Sequence, residues 1–383
     1  MPKAPAKTVV TGLAAKTKPG IIRPTRKGPL WLGPTAEGAL GGVTQSMLGK
    51  FLTCRERFRL RYIDGLKPSE GFNHRLEYGQ LWHTCEEALA KGIEWEPELE
   101  RYMQGLMRKH PTQQTDVAKW YMCCKMQFPI YVDYWKRHKD VEARTPLLQE
   151  GVFDIYYVLP SGRVVRLRGK WDAADIINKG VWLKENKTKG EIDEMGLTRQ
   201  LRFDLQTMLY IVALKEAIKK GEVKTKLPVM GVRYNVIRRP LSGGKGTIKQ
   251  KEGSKNVPAE TPEEYWDRLQ QYFIHEPETF FMRWNVTINQ REVEAFEQRF
   301  LKPILEQLCD WYEHVTTGDP FRPYLEHDAG DSGYDKESAI HWQHPHGVVN
   351  YINESGSSEY DSYLETGNEV GLHRADSLFD ELK

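Results

Sequence analysis

The sequence predicts a protein of mixed α and β structure, and three observations carry that expectation. Apolar residues recur every three or four positions from about Thr44 to residue 140. Between Leu148 and Thr188 the pattern changes to a period of two. After Thr198, helical and strand-like stretches alternate. Periods of 3.6 and 2 mark helix and strand respectively, and their mixture along one chain marks an α+β or α/β class.

Taken in order, Met47, Phe51, Cys54, Phe58 and Tyr62 form the apolar stripe of a first helix, which Asp64-Gly65 ends. Arg55, Arg57, Arg59 and Arg61 run between them. Four arginines within seven residues fit a solvated basic face and equally a surface that meets phosphates. A second helix is expected from about Gly79 to Lys91, with Leu81, Cys85, Ala88 and Leu89 inward. His83 projects from its other side, with Glu86 and Glu87 one turn on. Residues 94 to 140 read as further helices whose many aromatics belong to a core. Four strand segments come next: Glu150 to Val158, Val164 to Gly169, Trp171 to Ile177 and Val181 to Thr188. They lead to a helix from Thr198 to Lys220, with Leu201, Leu205, Met208, Leu209 and Val212 on its apolar face, and a strand from Val229 to Arg238. A polar loop leads to a helix (Pro262 to His275), a strand (Phe280 to Ile288) and a long helix (Asn289 to Thr316). The SGGKG within that loop lacks the rest of a phosphate-binding P-loop.

The chemistry concentrates in GKWDAADIINKGVWLKENKT, residues 169 to 188. Asn178-Lys179-Gly180 is a hairpin turn signal between two strand-like runs. With Asn178 and Lys179 as a two-residue loop, Ile177 faces Gly180 and, counting outward, Asp172 faces Glu185. Opposed residues of an antiparallel pair share a face about 5 Å apart, and Lys187 shares the face of Glu185. Two carboxylates and a lysine so placed suit a divalent cation and the water it activates. A Glu-x-Lys pair on a strand is more often a solvated face, and a slip of one residue would undo the register.

Composition narrows the class. The aromatic content of 11%, with eleven tryptophans, supports a real core in a 383-residue chain of one large or two ordinary domains. No run approaches the ~18 apolar residues of a membrane span, and no apolar secretory core segment is present. The net charge of +2 identifies no partner by itself. The five cysteines lack CxxC spacing, which speaks against a disulfide scaffold or zinc ribbon and for a reducing, cytoplasmic setting. Residues 1–40 read as a disordered basic arm, since the first 36 hold seven Lys and Arg and no acid. That arm fits nucleic-acid contact, organellar targeting or simple solubility. Residues 321–383 read as an acidic, largely disordered tail, and residues 41–320 as the folded domain.

The order of the motifs adds to this reading. Cys-x-x-x-Phe (Cys54, Phe58) is followed by Gly-x-x-x-His (Gly79, His83), Gly-x-x-Asp (Gly169, Asp172), Glu-x-Lys-Thr (Glu185, Lys187, Thr188) and Gln-x-x-x-Tyr (Gln206, Tyr210). Over residues 44–240 this resembles the PD-(D/E)XK nuclease superfamily, in particular its RecB-like exonuclease branch. Residues 262–316 are similar to the downstream part of phage-encoded members.

The resemblance implies a restriction-endonuclease-like core, a mixed β-sheet flanked by helices with a metal site at the sheet. Asp172 and Glu185 would ligate Mg²⁺ or Mn²⁺, with His83 and the backbone carbonyl of Asn186 as further ligands and Glu150 as a looser candidate. Lys187 would orient or help deprotonate the attacking water, and Gln206 would support the site. Arg55, Arg59, Arg199 and Arg202 would grip backbone phosphates, and Tyr210 would pack or touch the nucleic-acid strand. Some relatives carry an iron–sulfur cluster. Here no cysteine lies between Pro320 and Trp342, so no cluster is expected and Cys54 is read as a core residue.

The function so implied is a metal-dependent DNA nuclease, most simply an exonuclease on single strands or duplex ends in repair, recombination or phage replication. The alternatives are a nucleic-acid-binding scaffold without turnover and a structure-specific or restriction-like endonuclease. No helicase signature is present. Ser377-Leu378-Phe379 resembles, in those residues only, peptides that dock on a replicative sliding clamp, so a replication or recombination protein is a candidate partner of the tail.

Overall fold

The computed structural model describes residues 33–38, 41–53, 55–68, 71–138, 144–202, 204–240, 247–253, 258–317, 363, 367–374, 379 and 382. The basic arm before residue 33, Cys54, the SGGKG segment and most of the acidic tail lie outside them. The described residues form two compact units, one from residues 1–69, 152–170 and 294–383, the other from 70–151 and 171–293.

A five-stranded sheet has the order β2-β3-β4-β5-β6. Its strands are β2 (Arg144–Val158), β3 (Val164–Ile177), β4 (Gly180–Lys189), β5 (Val229–Arg238) and β6 (Phe281–Thr287). β3 and β4 are antiparallel, β4 and β5 parallel, and β5 and β6 antiparallel. The sheet is therefore mixed, and helices flank it, as the sequence predicts. Two of the four expected strand segments are one: β3 runs through Gly169 and Lys170 without a turn.

In the unit built from 70–151 and 171–293, α3 (His74–Ala90), α4 (Trp95–Lys109), α5 (Gln114–Lys136) and α8 (Pro262–His275) share one aromatic core. Trp82, Phe128 and Tyr131 meet edge to face or tilted, with centroids 5.1 to 5.9 Å apart. α3 starts five residues earlier than its apolar stripe suggests, because Asn73 caps it and accepts from the amides of Arg75 and Leu76. α8 opens on a full capping box between Thr261 and Glu264, with Pro262 in its first turn. The expected helix from Thr198 to Lys220 is two helices, α6 (Glu194–Arg202) and α7 (Leu205–Lys220). Asp204 interrupts it: its carboxylate accepts from the Thr207 amide and caps α7. Gly221 ends α7 in the left-handed region at φ +77°.

In the other unit, α1 (Gln45–Thr53) and α2 (Arg55–Phe58) lead into a π-helical turn, Arg59–Ile63. Phe51 and Phe58 pack edge-on against Trp311 of α10 (Lys302–Thr317). The long C-terminal helix is interrupted by a second π turn, Glu297–Leu301, between α9 (Gln290–Phe296) and α10. β7 (Leu372–Arg374), within the tail expected to be disordered, pairs antiparallel with β1 (Leu66–Pro68). Phe379 is buried beneath the guanidinium of Arg168. Among the described residues no helix is long and apolar enough to cross a membrane.

Candidate active site

The β3–β4 hairpin turns on Asn178 and Lys179, both left-handed at φ +49° and +61°. Two left-handed central residues define the tight turn whose twist matches that of the strands. The turn sets the register: Ile177 faces Gly180 and Ala173 faces Lys184. One step further out the ladder gives way to a side-chain contact, in which Asp172 Oδ2 accepts from the Asn186 amide at 2.8 Å.

Strand alternation sends Lys184 and Asn186 to one face of β4, and Glu185 and Lys187 to the other. On the second face Lys187 Nζ lies 2.9 Å from Glu185 Oε1 and donates to Gln206 Oε1 at 2.7 Å. Gln206 Nε2 donates to Glu185 Oε1 at 2.7 Å, which closes a triangle. Gln206 is in the first turn of α7, so the Asp204 cap that breaks the expected helix also sets its position. On the first face Asn186 Oδ1 accepts from Asn235 of β5 at 2.7 Å, and Asn235 also donates to Tyr131 at 2.8 Å. The peptide between Glu185 and Lys187 is thus held by Asp172 and by Asn235.

His83, Glu150 and Asp172 each present a ligand atom within 4.8 Å of the others. His83 Nδ1 is 3.8 Å from Asp172 Oδ1. Glu150 takes a left-handed backbone, φ +45°, inside β2. A non-glycine residue held there stores strain of about 1–3 kcal/mol, a cost that recurs at functional sites.

Burial governs the electrostatics. It pushes Asp172 up to about 6 against the opposing pull of the Asn186 amide and Lys187. It pushes Glu185 up to about 7, with Asp172 adding to the rise and Lys187 opposing it. His83 is lowered by burial and is therefore neutral at pH 7, the form that ligates metals. Burial would lower Lys187, but Glu185 and Asp204 hold it above its ordinary value, so it remains an ammonium.

Glu185 Oε2 is buried without a hydrogen-bond donor among the described residues. An orphaned carboxylate oxygen costs stability unless a cation or proton meets it. The neighbouring donors are an imidazole nitrogen and carboxylate oxygens, a set that suits a hard or borderline divalent cation. The residues present therefore fit such an ion.

Other expected site residues lie elsewhere. Arg55 is 8% exposed and donates to Gln307 at 3.0 Å; Arg59 is 2% exposed and paired with Asp64. Neither guanidinium is free to meet a phosphate in this structure. Arg59 opens the π turn, all five residues of which are buried, so the chain has no solvated face there. Arg55 is covered by α10, which supplies Gln307 from the far end of the chain. Tyr210 is buried, and its carbonyl accepts from Trp171 Nε1 at 3.1 Å, so its ring packs and is not open to stack a base. Arg199 is exposed, and Arg202 is exposed but engaged with Glu292 at 2.6 Å.

A mixed sheet flanked by helices, with an acidic and lysine-bearing hairpin at its centre, defines a restriction-endonuclease-like core. The family model of the PD-(D/E)XK nuclease superfamily matches residues 43–302, and the chain belongs to that superfamily. Membership makes it a metal-dependent nuclease. No curated protein matches the chain. A solved structure described as "Crystal structure of SSO0001" aligns with 78% of this chain and 95% of its own, at 11% identity and a TM-score of 0.21.

Proposed function

We propose that this protein is an exonuclease of the RecB-like, phage-type branch, hydrolysing DNA from single strands or duplex ends in repair, recombination or replication. The observation that carries the proposal is the closed Glu185–Lys187–Gln206 triangle beside Asp172, His83 and Glu150, with one Glu185 oxygen left for a cation. In this reading residues 41–320 are the nuclease domain, and the C-terminal tail reaches a replication or recombination protein.

His83, Glu150, Asp172, Glu185 and the Asn186 carbonyl are the groups that would hold Mg²⁺ or Mn²⁺. When bound, the ion supplies charge neutralisation at the phosphate and acidifies water. Lys187, kept as an ammonium by Glu185, is a hydrogen-bond donor and not a proton acceptor. It orients the water that attacks phosphorus and steadies charge on the phosphoryl oxygen as the P–O ester bond breaks. Gln206 fixes the Lys187 ammonium and the Glu185 carboxylate in one geometry.

The test uses linear DNA labelled at the 5′ or the 3′ end, single- and double-stranded, beside closed circles, with Mg²⁺ or Mn²⁺. Stepwise loss of one label with circles spared is expected. Nicking of circles would replace the exonuclease by an endonuclease, and binding without cleavage under either metal would leave a scaffold.

A further inference from the structure

Several charged groups of the unit built from 70–151 and 171–293 are paired. Arg144 meets Asp175, Lys184 meets Glu86, and Arg268 meets Glu260. A row of cations in the same unit departs from this. Arg75, Lys189, Arg238 and Arg239 have no carboxylate within ion-pair distance among the described residues. The row is built from adjacent backbone. Lys189 and Arg238 are partners in the parallel β4–β5 ladder, and the Arg239 amide donates to the Lys189 carbonyl at 2.7 Å. The guanidinium of Arg239 reaches back along β4 to the Thr188 carbonyl at 3.1 Å, and that of Arg238 reaches the Gly190 carbonyl at 3.2 Å. Neutral carbonyls fix both side chains without cancelling their charge. Arg239 Nε is buried with no acceptor among the described residues.

The row is continuous with the site. Lys189 lies two residues past Lys187 on the same strand face, about 6.7 Å along it, the length of roughly one nucleotide of extended backbone. The charges sense one another as a line. After burial, Lys187 and then Arg239 disfavour the Lys189 ammonium, with Asp204 opposing, and Arg75 disfavours the Arg239 guanidinium. At the far end stands His74, stacked on Trp120 with centroids 4.9 Å apart and lowered by burial, Arg239 and Arg75, with Asp116 opposing. Carboxylates near the line are Glu185, paired with Lys187, Asp204, already engaged as the cap of α7, and Asp116. Partly exposed cations without a carboxylate partner, beginning at Lys189 just beyond the Glu185-paired Lys187, are an arrangement for successive phosphates.

We propose that Lys189, Arg239 and Arg75 form a track for the phosphodiester backbone of one DNA strand, with Lys189 and Arg239 taking the phosphate next to the cleaved one. This rests on the nuclease reading above and adds to it the path of the substrate. Because the contacts are to phosphate, the track sets affinity and register without reading sequence.

The experiment compares wild type, the exposed-site variant Arg75→Glu, Lys189→Gln and the triple variant Arg75→Gln/Lys189→Gln/Arg239→Gln. The control is Arg101→Gln, an exposed arginine of α4 paired with Glu98. Binding of a fluorescent single-stranded oligonucleotide is measured in EDTA between about 50 and 200 mM salt. For three lost contacts the slope of log affinity against log salt should fall by about 2, with Arg101→Gln unchanged. In cleavage KM should rise while kcat holds. Oligonucleotides carrying one uncharged methylphosphonate linkage, scanned along the strand, should show a KM penalty next to the cleaved bond that vanishes in Lys189→Gln. Unchanged affinity and slope in Arg75→Glu and in the triple variant, with wild type still cleaving, would overturn the track and leave the nuclease reading standing. If wild type cleaves no DNA, the nuclease reading fails, and the salt slopes alone decide for or against the track.

Discussion

Strand β4 carries two buried lysine–glutamate contacts, Lys184 with Glu86 at 2.7 Å and Lys187 with Glu185 at 2.9 Å. They share a strand, a residue pair and a degree of burial, yet they sit in opposite electrostatic states. Burial alone would raise Glu86, but Lys184 reverses it, with Tyr131 and Arg283 nearby, so its carboxyl lies below the ordinary value. Glu185 is pushed up to about 7, because Asp172 adds negative charge to what burial already costs. The first pair sets one carboxylate against one lysine, although Glu86 Oε1, like Glu185 Oε2, is buried without a donor among the described residues. The second holds one carboxylate too many for its lysine, and only a proton or a cation restores balance. Counting the charges around each separates the balanced pair from the one proposed to be catalytic.

Breaking each pair should sharpen the contrast. Lys184→Ala leaves Glu86 buried without its cation and should cost about 3–5 kcal/mol of stability, read as a lower urea midpoint. Lys187→Ala should cost far less, since Glu185 already titrates near neutrality and takes up a proton, but should lower cleavage about a hundred- to a thousandfold. Equal destabilisation by the two changes would erase the distinction.

A smaller effect belongs to Asn235, fully buried and donating to Asn186. Asn235→Ala should reduce kcat roughly ten- to a hundredfold with KM little changed. A loss confined to stability would make that asparagine a packing residue.

A further effect is on pH dependence. Asp172 and Glu185, with folded values of about 6 and about 7 against ordinary values of 3.8 and 4.5, bind more protons folded than unfolded across that interval. Metal-free stability should therefore fall as pH climbs from about 4 to about 7. A bound divalent ion keeps both groups ionised, so the stabilisation it gives should grow over the same window, with protons released. Melting curves in EDTA and in Mn²⁺ at several pH values check this. A metal effect that shrinks with rising pH would contradict it.

How much of this was legible in the chain differs by residue. The hairpin was, because Asn178-Lys179-Gly180 fixes the turn and alternation fixes the faces. The mixed sheet was legible in the order of motifs. Glu150 was visible only as an acid at a strand start, since its place depends on a left-handed kink that no period reveals. Arg59 was not legible because the turn it opens is buried on every side and pairs it with Asp64, and Arg55 because its cover, α10, lies some 250 residues away in the chain. The break at Asp204 was written in an Asp three residues before Thr207, but a strong helical period on both sides masks it. The Arg75, Lys189 and Arg239 row joins a helix start to two strand ends far apart in sequence, and nothing local announces it.

The central claim is that Glu185 and Lys187 hydrolyse phosphodiesters with a divalent ion. Release of acid-soluble nucleotides from linear DNA tests it, in Mn²⁺, Mg²⁺ or EDTA, by wild type, Glu185→Gln and Lys187→Ala. Metal-dependent release by wild type, lost in both variants although each remains folded and binds DNA, is the result predicted here. Release that persists in EDTA or in Lys187→Ala would contradict it.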